Sequence, residues 1–274
     1  MAGAAADAAD RRRTVDLAAV ERAALAAPPV RDALTALGRS HAGIRIIAEV
    51  KRRSPSRGDL AAIPDPAALA AAYERGGAAV ISVLTEGRRF GGSLADLTAV
   101  RAAVHLPVLR KDFVSTEYQV LEARAAGADL VLLIVAGLDD AALARLHRLV
   151  TETGMTALVE AHDADEVDRA LAVGARVVGV NARDLRTFTL DSALFGRLAD
   201  RITDSVIRVA ESAVRTADDV ARYRRDGADA VLVGEALVTG DPERTLQHFL
   251  GSAGSESARS ESAPVETARS EARA

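Results

Sequence analysis

Lysine is nearly absent from this sequence. Of 35 lysine and arginine residues, only Lys51 and Lys111 are lysines, and Asn181 is the sole asparagine. A chain that uses arginine for general surface charge keeps lysine where a guanidinium fails. Only lysine offers a compact ammonium whose pKa moves readily enough to exchange a proton. Carboxylates accompany both amines. Glu49 precedes Lys51 by two positions, and Glu160 and Glu211 each end a further apolar run. Such a set suits proton transfers at a carbonyl or imine, or the loss of a hydroxyl. Two neighbouring ammonium groups should also lower each other's pKa and help one of them act as an acid near neutrality. A metal is not expected, because lysines interleaved with the carboxylates repel a cation.

The elements that would position these residues repeat along the chain. Gly77-Ala78, Gly127-Ala128, Gly174-Ala175 and Gly227-Ala228 each end an alanine-rich, arginine-dotted helical stretch and lead at once into a short Val/Ile/Leu run. Glycine is the expected left-handed helix stop, and an uninterrupted apolar run suits a strand buried on both faces of a parallel sheet. Successive copies are about twice as far apart as one strand–helix unit is long. Intervening strands are expected at 44–50, 107–109, 157–160 and 206–210. Helices are expected at 66–75, 94–104, 117–126, 139–153, 164–173, 190–200, 216–225 and 242–250. Eight alternating units predict an α/β fold, a single closed (β/α)8 TIM barrel over 44–250. An open doubly wound sheet is the alternative, but its G-x-G-x-x-G turn is missing, as are a P-loop and H-E-x-x-H. Residues 1–43 read as an amino-terminal helical extension, helical over 17–27 and 30–37 about Pro28-Pro29, that caps the barrel or covers its mouth. Residues 251–274, a Ser/Ala/Glu/Arg tract, read as a disordered tail.

Chemistry on such a barrel sits at the carboxyl ends of the strands. Read in order, those ends carry Glu49 and Lys51, Thr85-Glu86, Lys111-Asp112, Ile134, Glu160, Asn181 and Arg183, Glu211-Ser212 and Gly234-Glu235. The last two loops, Glu211-Ser212-Ala213 and Gly234-Glu235-Ala236, occupy the usual place of a substrate phosphate, with a glycine that lets backbone approach an anion. Lys51 to Gly58 is cationic and hydroxyl-rich, a flap over an anionic substrate. No histidine joins the set: His162 is expected to begin a loop, and His41, His105, His147 and His248 to be structural. Arg11-Arg12-Arg13 reads as a solvated helix face. The net charge of −4 and the 3% aromatic content argue against a nucleic-acid partner. No apolar run reaches a membrane span or a secretory signal. A cytoplasmic protein acting on a small molecule, as a monomer, is expected.

The string Ile47-Ala48-Glu49-Val50-Lys51-Arg52-Arg53-Ser54-Pro55-Ser56-Arg57-Gly58 resembles the signature of indole-3-glycerol phosphate synthase. The resemblance continues through Leu84-Thr85-Glu86 with Phe90-Gly91-Gly92-Ser93, Leu109-Arg110-Lys111-Asp112-Phe113, Leu158-Val159-Glu160, Gly179-Val180-Asn181-Ala182-Arg183-Asp184-Leu185, Ala210-Glu211-Ser212 and Val233-Gly234-Glu235. It implies a cofactor-free lyase of tryptophan biosynthesis. The substrate would be 1-(2-carboxyphenylamino)-1-deoxyribulose 5-phosphate, which closes a ring onto its sugar carbonyl and then loses carbon dioxide and water. By the same resemblance Lys111 is the general acid in ring closure, and Glu160 acts as acid or base in the dehydration. Glu49 supports proton removal, and Lys51 meets the substrate carboxylate. Asn181 and Arg183 position the substrate together with Ser54, while Phe90 and Phe113 pack on its ring. Ser212, Ala213, Gly234 and Glu235 hold the phosphate. Ala213 stands where the family usually has glycine, so a different backbone path is expected there. Two other readings are open. Phosphoribosylanthranilate isomerase, a related barrel, is expected to use a cysteine, and this chain has none. A catalytically silent scaffold would have no need of Lys111 and Glu160.

Overall fold

The computed structural model describes residues 1–38, 43–55 and 57–260. Eight parallel strands close into a barrel: β1 Arg45–Val50, β2 Val80–Leu84, β3 Val108–Lys111, β4 Leu130–Ile134, β5 Thr156–Ala161, β6 Val177–Asn181, β7 Ile207–Glu211 and β8 Ala230–Val233. Each pairs with its sequence neighbours, and β8 closes onto β1 through Arg45↔Ala230 to Ala48↔Val233. The expected strands lie within a few residues of these.

Local chemistry explains why helices alternate with the strands. Those over Pro66–Arg75, Leu94–Ala103, Glu117–Ala125, Asp140–Glu152, Ala164–Ala172 and Ala217–Arg225 begin after Asp65, Ser93, Thr116, Asp139, Asp163 and Thr216. Each of these side chains accepts a backbone N–H of the first turn that no helical carbonyl can reach. The four repeated glycines, Gly77, Gly127, Gly174 and Gly227, all have φ between 80° and 95°. This is the left-handed stop inferred from their spacing. The 190–200 stretch is helical only over Leu194–Leu198, followed by a 3-10 turn at Ala199–Arg201. The last helix, Pro242–Ser260, runs beyond residue 250. Residues 261–274 of the expected tail lie outside the described residues, as does His41.

The extension holds three helices rather than two: α1 Ala2–Thr14, α2 Leu17–Ala26 and α3 Ala33–Leu37. Alanine-rich α1 lacks a strong apolar stripe, so periodicity did not reveal it. α3 joins Ile47, Val80, Leu130, Val177, Val209 and Ala230 in one apolar cluster inside the barrel and so plugs its floor. α1 reaches the opposite end, where Met1 borders the mouth. The extension therefore both caps and covers. Arg12 and Arg13 are exposed as expected, while Arg11 is only partly exposed. It grips Glu122 through Nε at 2.5 Å and Nη2 at 2.7 Å.

Candidate active site

Strand alternation assembles the site. Ile47, Leu109, Leu158, Val177, Val209 and Leu232 face the barrel interior. Successive side chains on a strand point to opposite faces, so the residue two further along faces inward again. Those residues are Glu49, Lys111, Glu160, Gly179, Glu211 and Gly234. The next step along three of the strands gives Lys51, His162 and Asn181. Apolar layers fill the barrel below, and a charged layer forms its mouth.

Lys51 Nζ lies 2.8 Å from Glu49 Oε2, and Lys111 Nζ lies 3.7 Å from Glu49 Oε1. The two scarce amines thus converge on one carboxylate. Lys111 Nζ is also 3.7 Å from Glu211 Oε2 and 4.0 Å from Glu160 Oε2. The expected lowering of Lys111 is therefore corrected. Burial of Lys111 does oppose its charge, but Glu49, Glu211 and Glu160 more than offset that and hold its pKa above the ordinary lysine range. Burial also works against Glu49, whose carboxyl is nonetheless held low by Lys51 and Lys111.

Glycines make room for this crowding. A Cβ at Gly179 would stand 2.2 Å from Glu211 Oε1, and one at Gly234 would stand 2.6 Å from Glu49 Oε2 and 2.9 Å from Lys51 Nζ. A glycine within a strand that marks a close approach is the ordinary reading of such a position.

Glu160 and Glu211 are both buried, yet their environments separate them. Burial would raise Glu160, but His162, Lys111 and the Asn181 amide hold it well below the usual carboxylate range. Glu211 is raised well above that range, first by burial and then by the neighbouring Glu160 charge. Environments that push two carboxyl groups apart assign one as base and the other as acid. Asn181 Nδ2 donates to Glu160 Oε1 at 3.2 Å, and its Oδ1 accepts from the Ser212 hydroxyl at 2.8 Å and the Arg183 backbone N–H at 3.0 Å.

His162 follows the end of β5 and begins the loop, as expected, and it does not border the cavity, but it reaches the site through Glu160. Its Nε2 lies 3.3 Å from Glu160 Oε1. The signal was present: it stands two residues after Glu160 on the inward face. Glu211 was visible as a strand-end carboxylate, but nothing in the sequence gave it a role distinct from the other carboxylates.

Glu49, Lys51, Lys111, Glu160, Asn181 and Glu211 line a cavity of about 540 Å³, within the roughly 300–1,000 Å³ usual for small-molecule sites. Ser54, Phe90, Phe113, Arg183, Ser212, Ala213, Gly234 and Glu235 all border it. Phe90 and Phe113 stand 6.2 Å apart, tilted by 45°, and offer an apolar wall to an aromatic ring. At the other side Arg57 Nη1 pairs with Glu235 Oε1 at 2.5 Å. Burial lowers the pKa of Arg183; Glu235 supports its charge, and Arg215 and Arg57 oppose it. Arg57, Arg183 and Arg215 border the cavity together with Glu235, leaving an excess of positive charge on that side.

Ala213 adopts φ 56° and Ser212 φ 68°. The backbone thus takes the left-handed path with alanine in place, rather than avoiding it. An L-residue with a Cβ costs about 1–2 kcal/mol in that region, and the extra freedom of glycine in the unfolded chain offsets about 0.4–1 kcal/mol of any gain. Ala213→Gly is expected to raise the melting temperature by about 2–4 °C, read by circular dichroism. A lower value would mean that the alanine methyl contributes more by packing than its backbone strain costs.

Fold and site together define a (β/α)8-barrel protein whose mouth holds a cluster of two lysines and three glutamates beside a group of arginines. Residues 1–249 match the family model described as indole-3-glycerol phosphate synthase. The indole-3-glycerol phosphate synthase of Leifsonia xyli subsp. xyli is 66% identical over 250 residues, covering 91% of this chain and 96% of that protein. The one from Nocardioides sp. is 58% identical over 252 residues, covering 92% and 96%. The chain belongs to the indole-3-glycerol phosphate synthase family; it is an enzyme, a decarboxylating lyase of tryptophan biosynthesis that acts on a phosphorylated small molecule. Among solved structures, thiamine phosphate pyrophosphorylase from Pyrococcus furiosus matches with a TM-score of 0.58 at 14% identity, over 78% of this chain and 96% of that one. N-acetylmannosamine-6-phosphate 2-epimerase from Clostridium perfringens matches at 0.56 and 16%, over 76% and 92%. These two likenesses show the barrel fold alone.

Proposed function

We propose that the family's reaction, conversion of 1-(2-carboxyphenylamino)-1-deoxyribulose 5-phosphate to indole-3-glycerol phosphate, is run in this chain by the cluster around Lys111. The observation that carries the reading is the convergence of Lys51 and Lys111 on Glu49, with Glu160 and Glu211 closing around Lys111.

The substrate lies with its aromatic ring against Phe90 and Phe113 and its phosphate toward Arg183, Ser212, Ala213, Gly234 and Glu235. Its carboxylate meets Lys51, with Ser54 beside it. The ring carbon bearing the carboxylate then bonds to the ketone carbon, and Lys111 gives a proton to the ketone oxygen. An ammonium held above its ordinary range is still an adequate donor here, because the alkoxide forming on that oxygen is a much stronger base than an amine. Carbon dioxide leaves with the C–C bond electrons returning to the ring. In the last step Glu160 removes the ring-closed intermediate's C–H proton. The hydroxyl departs as water with a proton from Glu211, which its environment keeps protonated. Glu49 orients both amines, and Asn181 fixes Glu160 and Ser212 together.

The test is the appearance of indole fluorescence from the carboxyphenylamino substrate, with Lys111→Ala as control. Product from the wild-type enzyme and none from the variant supports the reading. Equal rates from both, or no product from either, overturns it.

A further inference from the structure

His162 is a largely buried titratable group that the reaction scheme leaves unused, and it lies against Glu160 beside Asn181. Two carboxylates enclose its ring. Nε2 lies 3.3 Å from Glu160 Oε1, and Nδ1 lies 3.0 Å from Glu166 Oε2. Glu166 is held in turn: the same Oε2 accepts the His162 backbone N–H at 2.7 Å, and the Glu166 backbone N–H is bonded by the helix cap Asp163 at 2.9 Å. The imidazole is therefore held from the start of the Ala164–Ala172 helix with Nε2 beside Glu160, close enough for an ion pair though without a directed hydrogen bond. A ring facing a carboxylate oxygen on each nitrogen is best satisfied with a proton on both.

We infer that His162 is a positioning residue that remains an imidazolium between Glu160 and Glu166, and thereby keeps the proton of the Glu160–Glu211 pair on Glu211, leaving Glu160 as the base. Charge arithmetic around the pair supports this. Lys111 lies within 4.0 Å of both carboxylates and so favours neither strongly. His162 and the Asn181 amide both touch Glu160, and neither has a described contact with Glu211, but of the two only His162 brings a full charge. Without it, the neutral amide alone favours ionisation of Glu160, and the preference for a proton on Glu211 weakens. The charged groups facing His162 are Glu160 on its own strand and Glu166 on the following helix. Beyond Glu160, Lys111 approaches from β3 and Glu211 from β7. Burial would lower the imidazole's pKa, yet the two carboxylates carry it up to about 10.

This assignment of Glu160 rests on the proposed reaction, but the state of the ring does not, and the experiment has an arm for each. Imidazole 15N shifts of the substrate-free enzyme, with the His162 signal assigned by its loss in His162→Gln, are expected to show a doubly protonated ring up to pH 9. Turnover is then followed against pH. Glu160 must be ionised to work as a base, so activity falls as pH drops through its pKa. Removing the neighbouring cation raises that pKa and moves the acidic limb toward higher pH. The expected displacement is about 1 unit for His162→Gln. Glu166→Gln leaves the imidazole charged across the acidic limb, so that limb is expected to stay nearly in place while the ring's own titration moves toward lower pH, with melting temperatures confirming that both variants fold. A wild-type ring that titrates near neutrality, or an acidic limb that stays in place in His162→Gln, overturns the inference. Absence of product from the wild-type enzyme would instead overturn the functional reading, and the ring measurement would still stand.

Discussion

Lys111→Arg is expected to lower turnover by about 10²–10⁴-fold, the usual contribution of a general acid, while substrate affinity changes far less. The guanidinium keeps the positive charge that Glu49, Glu160 and Glu211 surround, so the electrostatics of the resting site survive. It cannot serve as the proton donor, since its pKa stays above about 12 in proteins. Its planar fork is also too large for a position held within 4.0 Å of carboxylates on three strands. Ring closure precedes both losses, so release of carbon dioxide and formation of the indole should fall together. Single-turnover measurement of both products checks this. Near-normal turnover would remove Lys111 from the acid role, and a deficit confined to the indole would place it in the dehydration instead.

Much of this was legible because the barrel imposes two periodicities on the sequence. Helix stops at Gly77, Gly127, Gly174 and Gly227 gave the repeat, and the depletion of lysine pointed to Lys51 and Lys111 before any fold was considered. What escaped follows from the same physics. His162 lies where a strand is about to become a loop, and only the two-residue alternation from Leu158 through Glu160 shows that it still faces inward. Glu211 carried no compositional signal in a chain with 39 acidic residues. The sign of the Lys111 shift depended on three carboxylates from β1, β5 and β7. No local reading of sequence can place such groups within 4.0 Å of one nitrogen.

The role of the extension was hidden for a similar reason. Arg11 in α1 meets Glu122, and Glu122 Oε2 lies 3.6 Å from Arg110 Nη1. Arg110 is fully buried and binds Asp112 Oδ2 at 2.9 Å and the Gln119 carbonyl at 2.6 Å. Thr85 completes the set through its hydroxyl, which donates to Asp112 at 2.6 Å. Charges buried this deeply are tolerated only in mutual pairing. The chain of pairs anchors the residues on either side of Lys111 to the extension over the mouth. Arg11 thus contributes to the placement of the catalytic strand from about a hundred residues away in sequence.

Glu160→Gln is expected to separate the two halves of the reaction. The change preserves size and the hydrogen bond from Asn181, whose Nδ2 now lies 3.2 Å from Oε1, since the glutamine carbonyl can accept in its place. It abolishes the base, and with it one of the two ionised neighbours of Lys111, Glu211 being held protonated. Glu49 and Glu211 remain within 3.7 Å of that ammonium, so ring closure and decarboxylation keep their donor. Dehydration loses its proton acceptor and should slow by about 10²–10⁴-fold. A rapid release of carbon dioxide without matching indole fluorescence in a single turnover is the predicted signature, with the hydroxylated, ring-closed intermediate accumulating. The opposite sign is equally informative. If carbon dioxide and indole fall by the same factor, Glu160 acts at or before ring closure, and the base of the dehydration must be sought at Glu49, the one other buried carboxylate of the cluster that its surroundings keep ionised.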